Sequence, residues 1–187
     1  GQSAARFERL REAMAREFFR RVSDSAKELF FNMPKLKGLL IGGPGPTKED
    51  WLREGNLVTA LRNKIIAIKD IGYADEHGLE LLVESSKEEL TKQEIIAEKK
   101  VVEEFFKALA KQEKVAYKKE DVEKALQAGA VEKLLISRSV EKSVAKKLEE
   151  EAKNIGASVH FISIETNEGI QFKNLGGIGA ILRFDIK

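Results

Sequence analysis

The chain opens Gly1-Gln2-Ser3-Ala4-Ala5-Arg6-Phe7, and its first two residues are of types that can work at a chain tip. Glycine lets the backbone take unusual angles and approach another molecule closely. Glutamine brings an uncharged donor and acceptor. On their own, two such residues fit a frayed terminus ahead of a helix equally well. The residues behind them carry a concentrated charge. Residues 1–21 hold six arginines (Arg6, Arg9, Arg11, Arg16, Arg20, Arg21) against three glutamates, a local charge of +3 in a chain whose total is only +2. Arginine clustered in this way suits nucleic-acid phosphate, where positive charge supplies sequence-independent affinity. The bland alternative is a solvated outer face.

Other chemistry-bearing residues are sparse. The loop Gly42-Gly43-Pro44-Gly45-Pro46 could cradle phosphate ahead of a helix. It lacks the Gly-Lys-Ser/Thr ending of a nucleotide-binding loop, so it reads as a structural turn. Gly177-Ile178-Gly179 is a fragment of a dinucleotide fingerprint, but it precedes a strand instead of a helix. His77 and His160 have no partner at ligand spacing, and no Ser/His/Asp set can be assembled. There are no cysteines, which excludes disulfides and thiolate metal sites and is compatible with the cytosol. Neither a metal site nor a cofactor is expected. No apolar run approaches a membrane span, and no signal-peptide pattern opens the chain.

The elements that must position these residues follow from periodicity. Residues 3–32 read as one long helix ended by Asn32-Met33-Pro34. At about 100° per residue, Phe7, Leu10, Met14, Phe18, Val22 and Leu29 form its expected buried face. Arg6, Arg9, Arg16 and Arg20 fall opposite, while Arg11 and Arg21 sit nearer the apolar side. A strand at Gly38–Ile41, a short helix capped by Thr47, a strand at Ile65–Ile71 and a helix over Gly78–Ser86 complete a first unit. The second unit begins near a capping-box spacing at Thr91 and Glu94, with Ile95, Val102, Phe106 and Leu109 as its buried helical stripe. Strands are expected at Val115–Tyr117, Val131–Ser137, Val159–Ile164 and Ile178–Ile186. Helices lie between them, two of them stopped by Gly129 and Gly156. With 42% hydrophobic and 34% charged residues over 187 positions, the chain suits an α/β fold of two layered domains, residues 1–88 and 89–187, the second a compact α/β/α sandwich.

The run Gln2-Ser3-Ala4-Ala5-Arg6-Phe7-Glu8-Arg9-Leu10-Arg11 resembles the Gly-Gly-Gln loop and following helix of archaeal and eukaryotic class I polypeptide release factors. The likeness continues along the chain in order. Leu39-Leu40-Ile41-Gly42-Gly43-Pro44-Gly45-Pro46-Thr47-Lys48 is similar to a strand and loop of that family's middle domain. Glu98-Lys99-Lys100-Val101-Val102-Glu103-Glu104-Phe105-Phe106 resembles the first helix of its C-terminal domain. Gly176-Gly177-Ile178-Gly179-Ala180-Ile181-Leu182-Arg183-Phe184 resembles its closing strand. The chain begins at what would be the second glycine of the motif, so the first glycine and the codon-reading domain lie outside this sequence. Where the family usually carries a small inserted subdomain, Ser137-Arg138-Ser139-Val140 joins strand to helix directly, so no role of that insert is carried over.

The resemblance implies a cytoplasmic factor of translation termination, not a free-standing enzyme. Its tip, Gly1 and Gln2, would enter the ribosomal peptidyl-transferase centre and promote hydrolysis of peptidyl-tRNA. Arg6, Arg9, Arg16 and Arg20 would meet RNA. The C-terminal domain would bind a translational GTPase of the elongation factor one-alpha type and the ATPase that recycles ribosomes, and its fold would resemble ribosomal proteins that bind kinked RNA. Two alternatives stay open. A Pelota-like ribosome-rescue factor shares both domains but lacks the tip, and an RNA-binding scaffold would use the second domain alone. A ribosome-independent hydrolase has no nucleophile or metal set behind it.

Overall fold

The computed structural model describes residues 2–186, and of Gln2 only the backbone. It is a mixed α/β protein that divides into two units, Gly1–Gln93 and Glu94–Lys187.

The first unit runs α1 (Gln2–Phe30), β1 (Leu39–Gly43), α2 (Thr47–Glu54), α3 (Thr59–Arg62), β2 (Ile65–Asp70) and α4 (Glu76–Ser85). Strands β1 and β2 pair in parallel, with a register shift between Leu39 and Leu40. Phe19, Trp51, Leu57 and Leu61 are buried together, with Val22, Ala26, Phe30, Leu39, Ile41 and Ile65 packed around them. Leu82 of α4 lies within reach of Gly42 of β1.

The buried face of α1 is not the expected one. Phe7, Leu10, Met14, Phe18 and Leu29 are 49–64% exposed, whereas Phe19 is 5% and Ser23 6% exposed. The contact stripe is Phe19, Val22, Ser23, Ala26 and Phe30, rotated by roughly a third of a turn from the bulky face at 100° per residue. Trp51 explains the choice. Its indole N–H donates to Ser23 Oγ at 2.9 Å, satisfying a polar atom that burial would otherwise penalise.

Two expected helix starts also differ. Helix α2 is preceded by Pro46, and Thr47 makes no side-chain cap. Helix α5 (Lys87–Lys111) begins directly after Ser86, so Thr91 lies inside it and its hydroxyl donates to the Lys87 carbonyl at 2.8 Å. The effective caps are Asp75, accepting from Gly78 N–H, and Thr166, accepting from Gly169 N–H.

The second unit continues from α5 through β3 (Val115–Tyr117), α6 (Lys119–Gln127), β4 (Val131–Ser137), α7 (Lys142–Asn154), β5 (Ser158–Ile162), α8 (Asn167–Asn174) and β6 (Ile178–Leu182). The sheet order is β3-β6-β4-β5, with β4 and β5 parallel and the other pairs antiparallel. Helices α6 and α7 cover one face, burying Val122, Leu126, Leu148 and Ala152 against Leu134, Ile136 and Ala180. On the other face Val101, Val102 and Phe105 of α5 and Phe172 of α8 meet Leu135, Ile162 and Ile181. Ile95, expected inside, is 38% exposed. A strand covered on both sides reads as a continuous apolar run, which is why β4 was legible. Gly129 and Gly156 stop α6 and α7 with φ of 66° and 71°. Beyond them Ala130 N–H reaches Ala125 O and Ala157 N–H reaches Ala152 O, the six-to-one bond of a helix closed by a left-handed residue. Strand β6 ends at Leu182, short of the expected Ile186. Asp185 instead accepts from Lys114 N–H at 2.5 Å.

Gly179 is set by close approach. A Cβ there would lie 2.6 Å from Phe105 Cε2 and 3.1 Å from Phe172 Cε2, two rings that meet edge-on at 5.4 Å between centroids. Gly179→Ala is expected to destabilise the second unit by about 1–3 kcal/mol through overpacking, read from urea unfolding. In the first unit, Phe19→Ala is expected to cost about 3–5 kcal/mol. Phe7→Ala should stay within about 0.5 kcal/mol of the parent. Comparable losses for the two phenylalanines would contradict the assigned rotation of α1.

Candidate nucleic-acid interface

Every residue from Ser3 to Phe18 is exposed, and burial begins only at Phe19. At 1.5 Å per residue this half of α1 presents about 24 Å of helix to its surroundings. A helix of that length is marginal in isolation. Here Phe19–Phe30 is packed, so the exposed turns propagate from an existing helix. Ala4, Ala5, Ala13 and Ala15, with the arginines and glutamates between them, are good helix formers.

Arg6, Arg9, Arg16 and Arg20 all lie on this exposed helix, and its regular geometry keeps them on one side. Arg16 pairs with Glu12 at 3.8 Å and Arg20 with Glu17 at 2.9 Å. Both pairs are solvent-facing and hold little energy, about 0.2–1 kcal/mol each, so a phosphate can compete for either guanidinium. Arg9 Nε donates to Ala5 O at 3.2 Å and Arg16 Nε to Glu12 O at 3.4 Å. These side chains therefore lean back along the helix toward its N-terminus. No acidic residue occupies the first turn, so nothing there offsets the positive end of the helix dipole.

Gly1 lies outside the described residues. Gln2 begins α1, with its side chain likewise outside. The first N–H groups of a helix have no partner within it, so the first-turn position of Gln2 makes its backbone N–H one of these orphan donors. The sequence places the arginines correctly on the outer side. It does not identify the second exposed face, Phe7, Leu10, Met14 and Phe18, because bulk at helical spacing signals burial wherever a core is near.

The other candidates resolve into structural roles. Lys48, after the glycine-proline loop, turns inward with its side chain only 5% exposed. Its Nζ donates to Gly45 O at 2.5 Å and pairs with Asp70 and with Glu49, the latter at 3.3 Å. It thus ties the β1–α2 turn to the end of β2. The hydrogen bond to Asp70 raises the Lys48 pKa, against the opposing effect of desolvation. His77 contacts Tyr73 edge-on and lies 3.7 Å from Glu80, and His160 Nε2 lies 3.0 Å from Ser158 Oγ. Among the described residues no group of three or more His, Asp or Glu side chains could hold a metal. Nor is any helix among them long and apolar enough to cross a membrane.

Two family descriptions match this architecture, eRF1 domain 2 over residues 1–92 and eRF1 domain 3 over residues 95–186. The peptide chain release factor subunit 1 of Thermococcus kodakarensis is 36% identical over 238 aligned positions, which take in 100% of this chain and 57% of the relative. The chain thus spans somewhat over half that relative's length. The alignment is longer than the 187 residues here, so the relative also holds residues within the matched span that have no counterpart in this chain. Among solved structures, the C-terminal domain of the peptide chain release factor from Methanosarcina mazei aligns with 28% identity and a TM-score of 0.53, over 60% of this chain and 98% of that one. A chain in a model of ribosome-bound archaeal Pelota and ABCE1 aligns with a TM-score of 0.68 over 91% of this chain and 50% of that one. Its 23% identity makes this a likeness of fold.

A group whose pKa rises on folding adds stability below its unfolded value, and that stability is lost as pH climbs through the folded one. The Lys48 contribution is therefore complete below about pH 10.4 and disappears at more alkaline pH. Thermal unfolding of Lys48→Met and the parent is expected to differ most at neutral pH and to converge at strongly alkaline pH.

Proposed function

Because the chain belongs to the eRF1 release-factor family, of which it carries domains 2 and 3, we propose that it acts in translation termination and promotes ribosome-dependent hydrolysis of peptidyl-tRNA. The observation that carries this reading is the conjunction of that membership with an exposed, arginine-bearing helix whose first turn holds Gln2. The reaction is attack of water on an ester, and negative charge develops on the carbonyl oxygen as the tetrahedral species forms. An N–H donor fixed in advance at that oxygen lowers the barrier because it needs no reorganisation. The backbone N–H of Gln2 serves as that donor, its side chain shapes access for water, and Gly1 allows the close approach. Arg6, Arg9, Arg16 and Arg20 hold the helix against ribosomal RNA by contacts to phosphate. The ribosome supplies the remainder of the site, so the factor is not a free-standing enzyme and needs no cofactor.

On the same reading the second unit docks a translational GTPase of the elongation factor one-alpha type and the ATPase that recycles ribosomes, in the cytoplasm. The chemistry of release and the partner contacts then sit on separate units of one chain.

Proline is tolerated at the first helical position and lacks the N–H, so Gln2→Pro removes the donor without breaking α1. In a complete factor assayed for peptide release on reconstituted ribosomes, Gln2→Pro is expected to slow release by about 10²–10³-fold, the loss typical of one oxyanion donor. Gln2→Ala should retain substantially more activity. Equal activity of the two variants would remove the backbone N–H from the mechanism.

A further inference from the structure

We propose that the exposed apolar stripe of α1, led by the rings of Phe7 and Phe18, is a stacking surface for unpaired RNA bases. This rests on the reading that α1 works against ribosomal RNA, and it adds a second contact face to the arginine side. Phe7, Leu10, Met14 and Phe18 follow at three-, four- and four-residue steps, which puts them within roughly 80° of one another on the helix. They are 62%, 55%, 64% and 49% exposed, although the core begins at the very next residue, Phe19, which is 5% exposed. A row of four large apolar side chains in water marks an interaction surface.

The charges around the stripe select the partner. Arg6 borders it on one side beside Glu17, whose carboxylate is already paired with Arg20 at 2.9 Å; Arg9 lies roughly 60° further round, Arg11 lies on the other side, and Arg21 sits beyond Phe18 near the same meridian. The occupant must therefore offer anionic groups and flat apolar faces together, at close spacing. Single-stranded RNA does so: its phosphates meet arginine while its splayed bases stack on aromatic rings. An apolar protein groove offers no such alternation. The Phe18 ring is also backed from inside, 6.2 Å from the buried Phe19 ring, so the platform's inner end is held by the core.

The test uses the full 187-residue chain and a fluorescein-labelled, unstructured RNA oligonucleotide, with affinity read by anisotropy across a salt series. Arg6→Gln and Arg9→Gln are expected to lower the slope of log affinity against log salt by about one unit per lost phosphate contact. Phe7→Ala and Phe18→Ala should each weaken binding about five-fold or more at every salt concentration, leaving the slope unchanged. Phe→Trp at either position should restore affinity, whereas Phe→Leu should not. Thermal unfolding controls for the fold. The proposal is overturned if the phenylalanine variants bind RNA like the parent. It is equally overturned if Leu rescues as well as Trp, if parent self-association in sedimentation vanishes with the rings while RNA affinity does not change, or if the rings matter only for anionic vesicles. Its failure is separable from that of the proposed function. Ring-independent RNA binding with Gln2-dependent release sinks the stripe alone. Ring-dependent binding with release indifferent to Gln2→Pro sinks the termination mechanism alone.

Discussion

The hydrogen bond from the Trp51 indole to Ser23 Oγ fixes how α1 is rotated on its unit, and the functional surface depends on that angle. A helix can satisfy a small core with any stripe that offers enough contact. In α1 the row of large residues at Phe7, Leu10, Met14 and Phe18 is passed over for one that brings Ser23 to the Trp51 indole, whose N–H must be satisfied. Once that angle is set, the arginine row and the row of large apolar residues both face outward. A seat chosen by bulk alone would have drawn the apolar row toward the core.

The same logic explains how much could be read from sequence. Elements whose environment is dictated by their own residues were legible. The central strand Val131–Ser137 carries Leu134-Leu135-Ile136, buried on both faces, and Gly129 and Gly156 stop their helices because each sits at positive φ. The arginine side of α1 was legible for the same reason, since charge at helical spacing goes outward unless something buries it. Features set by a distant partner were not. The rotation of α1 is decided by Trp51, many residues downstream. The start of α5 at Lys87 is hidden because Thr91 and Glu94 imitate a cap inside a continuing helix. The glycine-proline loop offered two readings, and only the inward turn of Lys48 toward Asp70 and Gly45 decides between them.

The two units solve burial differently. The second covers its four-stranded sheet with helices on both faces and fits a glycine beneath a phenylalanine ring to close one of them. The first has a two-stranded parallel sheet and puts much of its largest helix into solvent. Stability is concentrated in one unit's sandwich and in the other's Trp51 cluster.

The exposed half of α1 also carries an evolutionary consequence. Residues 3–18 are exposed and bury nothing in the clusters of their unit, so substitutions there are not screened by the core, although the packed turns from Phe19 onward still set the direction in which they face. Selection on this segment acts through whatever it meets outside the protein. Its sequence can therefore hold steady while the body that carries it drifts.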